Sequence, residues 1–280
     1  MTAPIAVIAA LRYSIPNGVE MTAIDFTAFV DELAAVSGET IRPFFRSALG
    51  IENKSRSGGF DPVTAADRAA EMAMRALIKR TFPEHGIIGE EFDPERPDAE
   101  YIWVLDPIDG TKSFICGMPA WGTLIALTRR GQPIYGLMHQ PFTREYFSGD
   151  GSGARYRGPA GDRDLRARSC AALRDAVLLT TSPLLMNEAD RGRFGRVEQA
   201  VRLSRYGGDC YAYCVLAAGH VDLVIETELK AHDVLALIPI IEGAGGVITT
   251  WDNGRPHDGG RIIAAGDRRV HQQAMALLRG

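Results

Sequence analysis

One stretch decides the fold of this 280-residue chain: Tyr101-Ile102-Trp103-Val104-Leu105-Asp106-Pro107-Ile108-Asp109-Gly110-Thr111. It is an apolar, β-branched run that ends in two carboxylates, a proline and a glycine, which is typical of a buried strand that carries charge to its own end. Pro107 favours extended backbone at the residue before it, and Gly110 allows a sharp turn. The carboxylates of Asp106 and Asp109 can therefore converge on one point.

Two carboxylates at one strand end suit a hard divalent cation. Asp106 and Asp109 repel each other unless a positive charge lies between them, and the carbonyl of Ile108 offers a further oxygen there. Oxygen ligands with no nearby cysteine or histidine favour Mg²⁺, Mn²⁺ or Ca²⁺ over zinc. The alternative is an ordinary turn whose aspartates cap the next helix, because Asp and Gly are common in turns.

The composition is that of an ordinary soluble protein, with 46% hydrophobic residues, 24% charged residues and a net charge of −4. This balance gives no sign of a nucleic-acid partner, and the length allows two packed lobes. We expect reduced cysteines in the core of a cytoplasmic protein, since no metal-binding spacing connects Cys116, Cys170, Cys210 and Cys214.

The amino terminus is apolar but does not resemble a secretory signal. It lacks a basic flank and a small-residue cleavage site, and no other segment is long enough to span a membrane. We therefore expect residues 1–21 to be an extension of uncertain status, residues 22–160 to form an N-terminal lobe with an antiparallel sheet and the metal-binding motifs, and residues 161–280 to form a C-terminal α/β lobe. The boundary follows from the polar, glycine-rich composition of residues 158–168.

Apolar periodicity predicts the elements of the first lobe. Helical spacing covers Ile24 to about Leu49 and Asp67 to about Thr81. Residues 82–91 are expected to form a turn and a short strand that ends in a glycine and two acids, and further strands are expected at 121–127, 133–139, 145–147 and 154–156. Asp67 either begins its helix or serves the site. Gly149–Gly153 resembles a nucleotide loop, but no helical pattern follows it, so we interpret it as a hairpin turn.

The second lobe alternates between strands and helices, which indicates helices packed on a sheet. Strands are predicted at 176–180, near 203, at 221–226 and at 246–249, and helices at 190–201, 209–218 and 233–242. Asp233 opens the last of these helices as either a cap or a metal ligand. Pro239 should kink or shorten that helix.

Ordered motifs give this chain a resemblance to the inositol monophosphatase superfamily of Mg²⁺-dependent, lithium-sensitive phosphatases. The motifs are Asp-Pro-Val-Thr-Ala-Ala-Asp at 61–67, Gly-Glu-Glu at 89–91, Trp-Val-Leu-Asp-Pro-Ile-Asp-Gly-Thr at 103–111, His-Asp at 232–233 and Glu-Gly-Ala-Gly-Gly at 242–246. The resemblance covers nearly all of the chain after Met21. It implies a layered α/β fold, an αβαβα sandwich of two lobes, and a homodimer.

The resemblance also implies roles for residues. Two or three Mg²⁺ ions, with Mn²⁺ as a substitute, would be bound by Glu90, Asp106, the Ile108 carbonyl, Asp109 and Asp233. Asp67 would be an outer or third-site ligand that assists catalysis. Thr111 and Glu90 would orient the attacking water and take its proton, and the backbone N–H groups of Gly110 and Thr111 would bind the phosphate. The family usually has Trp where this chain has His232.

Within the superfamily, the chain is most similar to histidinol-phosphate phosphatases of histidine biosynthesis. The similarity lies in residues 109–115, 121–125, 207–213 and 236–239. L-Histidinol phosphate carries an ammonium group and an imidazole, so carboxylates at Asp209 and Glu226 near the leaving group make electrostatic sense. Asp209 can equally cap the helix that it opens. The alternative substrate is inositol 1-phosphate or another small phosphomonoester.

Two further classes of protein stay open at this point. A non-catalytic protein that binds Ca²⁺ or a phosphate ligand would keep the acidic site, although the complete set of catalytic residues argues against it. A structural protein would use the acids only as caps, and metal-dependent thermal stabilisation would distinguish it from the other two.

Overall fold

The computed structural model describes residues 26–47, 51–53 and 62–280. The N-terminal extension and the start of the motif at 61–67 therefore lie outside the described residues. Among the residues that are described, no helix combines the length and the apolar character needed to cross a membrane.

Two helices pack against each other and cover one face of the first sheet. They are α1 (Phe26–Ile41) and α2 (Ala65–Thr81). The predicted extension of the first helix to about Leu49 is wrong, because α1 ends at Ile41 and turns follow it. Pro43 explains this end, since proline lacks an N–H donor and disfavours helical backbone at the residue before it.

The first large sheet has seven strands, whose spatial order is the same as their order in the chain. After a separate short pair, β1 (Ile51–Asn53) and β2 (Pro62–Thr64), they are β3 (Gly86–Gly89), β4 (Tyr101–Asp109), β5 (Gly122–Arg129), β6 (Gln132–Gln140), β7 (Glu145–Gly149), β8 (Ala154–Arg157) and β9 (Arg163–Asp164). β3 is parallel to β4, and each later pair is antiparallel. The predicted hairpin turn between β7 and β8 is confirmed, since Asp150 Oδ1 accepts hydrogen bonds from the backbone N–H groups of Ser152 and Gly153.

The second sheet has five strands. They are β10 (Val177–Thr180), β11 (Leu203–Tyr206), β12 (Leu223–Leu229), β13 (Val247–Thr250) and β14 (Gly260–Ala265), in the spatial order β11-β10-β12-β14-β13. The remaining helices are α3 (Thr111–Ile115), α4 (Glu188–Glu198), α5 (Asp209–Ala217), α6 (Ala231–Val234), α7 (Leu237–Gly243) and α8 (Arg268–Arg279).

These elements form five layers, in the order α1/α2, first sheet, α5/α7, second sheet, α4/α8. The predicted layered α/β fold is confirmed. Gly136 and Gly149 allow the central layer to approach the first sheet, because a Cβ atom on them would lie 1.9 Å from the Ala236 carbonyl oxygen and 2.4 Å from the Pro239 carbonyl oxygen. β9 still pairs with the first sheet beyond residue 160, and the division into lobes stays a prediction.

Two expectations need correction, and two elements of the second half were missed. The helix predicted at 233–242 is two helices, α6 and α7, and Pro239 lies in the first turn of α7, where its missing N–H costs little. Strand β14 and helix α8 were not predicted. Of the four cysteines, all are free, but Cys116 is exposed and does not belong to the core.

Candidate active site

The end of β4 brings its two aspartates to one side through an irregularity in the sheet. Asp106 pairs with Leu124 of β5 and Asp109 with Gly122, so β4 carries one more residue than its partner over this interval. Side chains three positions apart would point to opposite faces of a regular strand, and the extra residue removes this alternation. Both carboxylates consequently contribute to the same cluster.

Seven side chains form three overlapping groups in which one ligand atom from each residue lies within 4.8 Å of the others. The groups are Asp106 with Asp109 and Asp233, Asp67 with Glu90 and Glu91, and Glu90 with Asp106 and His232. All the carboxylates that were expected as metal ligands are thus brought together. Glu91 and His232 were not predicted as ligands, and the assumption of a site without a nearby histidine is wrong for this arrangement.

The cluster has an electrostatic need for a cation. Burial raises the pKa of Asp106 well above its usual range, and the charges of Glu90, Asp109, Asp233 and Asp67 raise it further. Asp106 is 1% exposed, and its Oδ1 is buried with no hydrogen-bond partner in the described part of the chain. A buried, unpaired carboxylate oxygen among other carboxylates is costly, whereas a divalent cation would satisfy all of them. The residues therefore fit Mg²⁺ or Mn²⁺.

A hydrogen bond from helix α5, in the central layer of the fold, fixes the side chain of Asp109. Its Oδ2 accepts a 2.6 Å hydrogen bond from the backbone N–H of Cys210, in the first turn of α5. Burial raises the pKa of Asp109, as do the charges of Asp233 and Asp209, while the contact with Cys210 opposes them. The N-terminus of α5 thus favours the charged carboxylate, as the helix dipole would.

Glu90 follows β3, and a buried ion pair fixes the backbone beside it. Glu71 of α2 is fully buried, and its two oxygens accept hydrogen bonds from Arg75 Nε at 2.7 Å and from the backbone N–H of Glu91 at 2.8 Å. Gly89 leaves room for this carboxylate, because a Cβ atom there would lie 2.0 Å from Glu71 Oε1. No local pattern in the sequence predicted this support.

Asp233 combines the two roles between which the sequence could not decide. It is the third residue of α6, and its Oδ2 accepts the backbone N–H of Lys230 at 2.6 Å, which caps the helix. The same side chain belongs to the group with Asp106 and Asp109. Burial raises its pKa, and the nearby His232 opposes this.

Gly110 and Thr111 form the turn from β4 into α3. Gly110 has a φ of +82°, which only glycine adopts readily, and α3 begins at the next residue. The Thr111 hydroxyl donates a 3.1 Å hydrogen bond to the Ile108 carbonyl. The predicted helix start is present, while the phosphate-binding role of its N–H groups stays a prediction.

Asp209 does not cap the helix that it opens. Gly208 is the cap residue, and Asp209 itself has a φ of +42°. Its Oδ2 accepts a 2.6 Å hydrogen bond from the Ser113 hydroxyl. A Cβ atom on Gly110 would lie 2.9 Å from Asp209 Cβ, so this aspartate lies directly over the turn after β4. The interpretation of Asp209 as a helix cap is therefore wrong. Its position over Gly110 is consistent with a role at the site.

Glu226 lies on β12 with 5% of its surface exposed. Its Oε1 accepts hydrogen bonds from the backbone N–H of Thr181 at 2.6 Å and from the Thr181 hydroxyl at 3.0 Å. Burial raises the pKa of Glu226 to about 7 against these bonds, and the charge of Asp209 raises it too. The two acids proposed for substrate recognition therefore interact electrostatically.

Comparison with known proteins places the chain in a family of phosphatases. Residues 24–280 match the inositol monophosphatase family, and the chain belongs to that family. It is 45% identical over 276 residues to the bifunctional phosphatase IMPL2, chloroplastic, of Arabidopsis thaliana, which covers 94% of this chain and 78% of that protein. It is 36% identical over 224 residues to the histidinol-phosphatase of Mycobacterium tuberculosis, with coverages of 78% and 84%.

A solved structure shows the same fold. An inositol monophosphatase from Zymomonas mobilis matches with a TM-score of 0.82 and 41% sequence identity, covering 93% of this chain and 100% of that one. The family and the fold expected from the motifs are confirmed. The family also makes phosphatase chemistry on a small phosphate ester the class of reaction for this chain.

Proposed function

We propose that this protein is a Mg²⁺-dependent histidinol-phosphatase, which hydrolyses L-histidinol phosphate to L-histidinol and phosphate. The observation that carries the proposal is the position of Asp209 over the turn at Gly110, beside the carboxylate cluster. The relative from Mycobacterium tuberculosis that is named a histidinol-phosphatase supports the same substrate.

The carboxylates of Glu90, Asp106, Asp109 and Asp233 would hold the metal ions, together with the Ile108 carbonyl. When bound, Mg²⁺ would make a water molecule more acidic and stabilise negative charge on the phosphate and the leaving oxygen. Glu90 and Thr111 would orient that water and accept its proton. The N–H groups of Gly110 and Thr111 would orient the phosphate, and Cys210 keeps Asp109 in place through its backbone N–H.

Selectivity must arise beyond the ester oxygen, because every phosphomonoester presents the same dianion to the metal ions. L-Histidinol carries a cationic ammonium group, whereas inositol is a neutral polyol. Asp209 is partly buried and has Glu226 within electrostatic range, so this side of the site favours a cation. A hydrogen bond to a charged group contributes about 1.5–3 kcal/mol, which corresponds to roughly a ten- to hundredfold difference in kcat/KM.

The test compares kcat/KM for L-histidinol phosphate and inositol 1-phosphate in the wild type, Asp209→Asn and Glu226→Gln. Asn keeps an oxygen that can accept the Ser113 bond, so Asp209→Asn removes charge and little shape. We expect it to lower kcat/KM for histidinol phosphate about ten- to hundredfold and to leave inositol 1-phosphate nearly unchanged. Asp175→Asn, at a side chain 65% exposed, is the control and should change neither value.

An equal loss on both substrates would show that Asp209 has a structural role. A wild-type preference for inositol 1-phosphate would instead favour the second candidate function, that of an inositol monophosphatase. The similarity to the Zymomonas mobilis protein supports this second candidate. The homodimer, the cytoplasmic location and the sensitivity to lithium stay predictions.

A further inference from the structure

His232 lies inside the carboxylate cluster, although the sequence did not predict it to be a metal ligand. One of its ring nitrogens and one oxygen each from Glu90 and Asp106 lie within 4.8 Å of one another. The side chain is 12% exposed, so the ring is packed into the site and does not extend into solvent. Its backbone belongs to α6, the short helix that also carries Asp233.

We propose that His232 is a nitrogen ligand of the metal centre and that it makes one cation position selective for Mn²⁺ over Mg²⁺. The proposal rests on the proposed function, because it needs the carboxylates to bind metal. It assigns Glu90, Asp106 and His232 to one cation, while Asp106, Asp109 and Asp233 form an all-oxygen group for another.

A second observation points to a ligand in the same group. Asp106 is 1% exposed, and its Oδ1 has no hydrogen-bond partner among the residues that the structure describes. The imidazole of His232 does not donate a hydrogen bond to this oxygen. The ring is also not tightly bound to Asp233, because its Nε2 lies 3.5 Å from Asp233 Oδ1, longer than the distance of about 2.9–3.0 Å at which N–H···O hydrogen bonds are most common. A cation between the ring and the buried carboxylates would satisfy both groups.

The nitrogen donor determines which cation fits. Mg²⁺ and Ca²⁺ bind best to carboxylate, carbonyl and water oxygens, whereas imidazole suits transition-metal ions. Mn²⁺ suits the same carboxylate oxygens as Mg²⁺, but as a first-row transition-metal ion it also belongs to the series that binds mixed nitrogen and oxygen sites. The two groups of ligands share Asp106, so a centre loaded with both ions would place Mn²⁺ on the His232 side.

The experiment uses the full chain loaded with Mn²⁺ and has a readout that does not depend on turnover. Pulsed electron paramagnetic resonance detects coupling of Mn²⁺ to a directly bound ¹⁴N nucleus. We expect this coupling in the wild type, its loss in His232→Gln, and its retention in His220→Gln, which removes an exposed histidine. Calorimetric titration of the same proteins should show Mn²⁺ affinity about 10–100-fold weaker in His232→Gln, with Mg²⁺ affinity nearly unchanged.

The outcomes separate the two proposals. Tight Mn²⁺ binding without ¹⁴N coupling in the wild type would overturn the role of His232 and leave the phosphatase proposal intact. Absence of any bound Mn²⁺ or Mg²⁺ would overturn both. The wild-type spectrum decides the question even if His232→Gln fails to fold, and coupling that persists in a folded His232→Gln protein would also refute the assignment.

Discussion

Replacing Glu71 by glutamine should impair the active site, although Glu71 does not belong to the three groups of clustered ligands. Glu71 is fully buried in α2, and its two oxygens accept hydrogen bonds from Arg75 Nε and from the backbone N–H of Glu91. Glutamine has nearly the same shape but only one acceptor oxygen. Its amide group must therefore face either the guanidinium or the backbone N–H, both of which are donors.

The expected loss of stability follows from these contacts. A buried donor left without a partner costs about 1–3 kcal/mol, and removing one member of a buried ion pair costs about 3–5 kcal/mol. Arg75 is 5% exposed, but it keeps hydrogen bonds to Glu95 and to the Phe92 carbonyl, which favours the lower end of this range. At about 3 kcal/mol, and roughly 2–4 °C per kcal/mol for a chain of this size, Tm should fall by about 6–12 °C.

Turnover should fall as well, because Glu71 fixes the backbone on both sides of Glu90. It contacts Glu91 directly, and its carboxylate fills the space over Gly89. A displacement of about 1 Å in a catalytic group can cost about a hundredfold in rate. We therefore expect kcat about a hundredfold lower at a temperature where the variant is fully folded.

The assay measures urea unfolding, Tm and kcat for the wild type, Glu71→Gln and Glu95→Gln. Glu95 also contacts Arg75, at 3.1 Å, but its side chain is 43% exposed. Its replacement should cost less than about 1 kcal/mol and leave kcat unchanged. Wild-type turnover in folded Glu71→Gln would show that something else positions Glu90, and unchanged stability would refute the assigned energy of the buried pair.

Two other predictions concern the metal site and the response to acid. Asp109→Asn should lower kcat on the order of a thousandfold at saturating Mg²⁺. Circular dichroism should show that the fold is intact, because an Asn oxygen can still accept the hydrogen bond from the Cys210 N–H. Wild-type turnover that survives excess chelator would refute the metal role. Burial lowers the pKa of His139 from 6.5 in the unfolded chain to about 4 in the folded protein. As the pH falls, the unfolded chain therefore binds this proton before the folded protein does. The stability that the neutral His139 contributes is fully present above pH 6.5 and is lost between pH 6.5 and 4. The free energy of unfolding should fall there by up to roughly 1.4 kcal/mol per pH unit. Urea unfolding over that range should show a shallower slope in His139→Phe than in the wild type or the exposed-site control His220→Gln, and equal slopes in all three would refute it.

Periodicity in the sequence predicted most of the fold because the layers bury regular apolar faces. It failed at the carboxyl end, where β14 and α8 were missed. The signals were nevertheless present: Asp267 caps α8 by accepting the Arg269 N–H at 2.8 Å, and the buried Val270, Ala274 and Leu278 recur at four-residue intervals. Local pattern would have been sufficient there.

The candidate site divides in the same way between local and distant information. The strand end with Asp106 and Asp109 was readable because both acids lie in one motif. The irregularity that aligns the two acids could not be predicted, because it depends on the partner strand. Only the three residues from Gly122 to Leu124 lie opposite the four residues from Asp106 to Asp109. Glu71 gave no signal either, because an acid four residues before an arginine on a helix is ordinarily a surface pair.

Asp209 shows why one sequence position could not be interpreted alone. An aspartate that follows two glycines and opens a helix is typical of a cap, and the local pattern offers nothing else. Gly207 and Gly208 have φ values of +90° and +124°, which turn the chain so that the Asp209 side chain reaches Ser113, 96 residues earlier. The N–H of Cys210 then contacts Asp109, 101 residues earlier. The acids at the end of the first sheet and helix α5 of the central layer therefore form the site together. Only the packing of those two layers makes Asp209 a candidate for recognising the substrate.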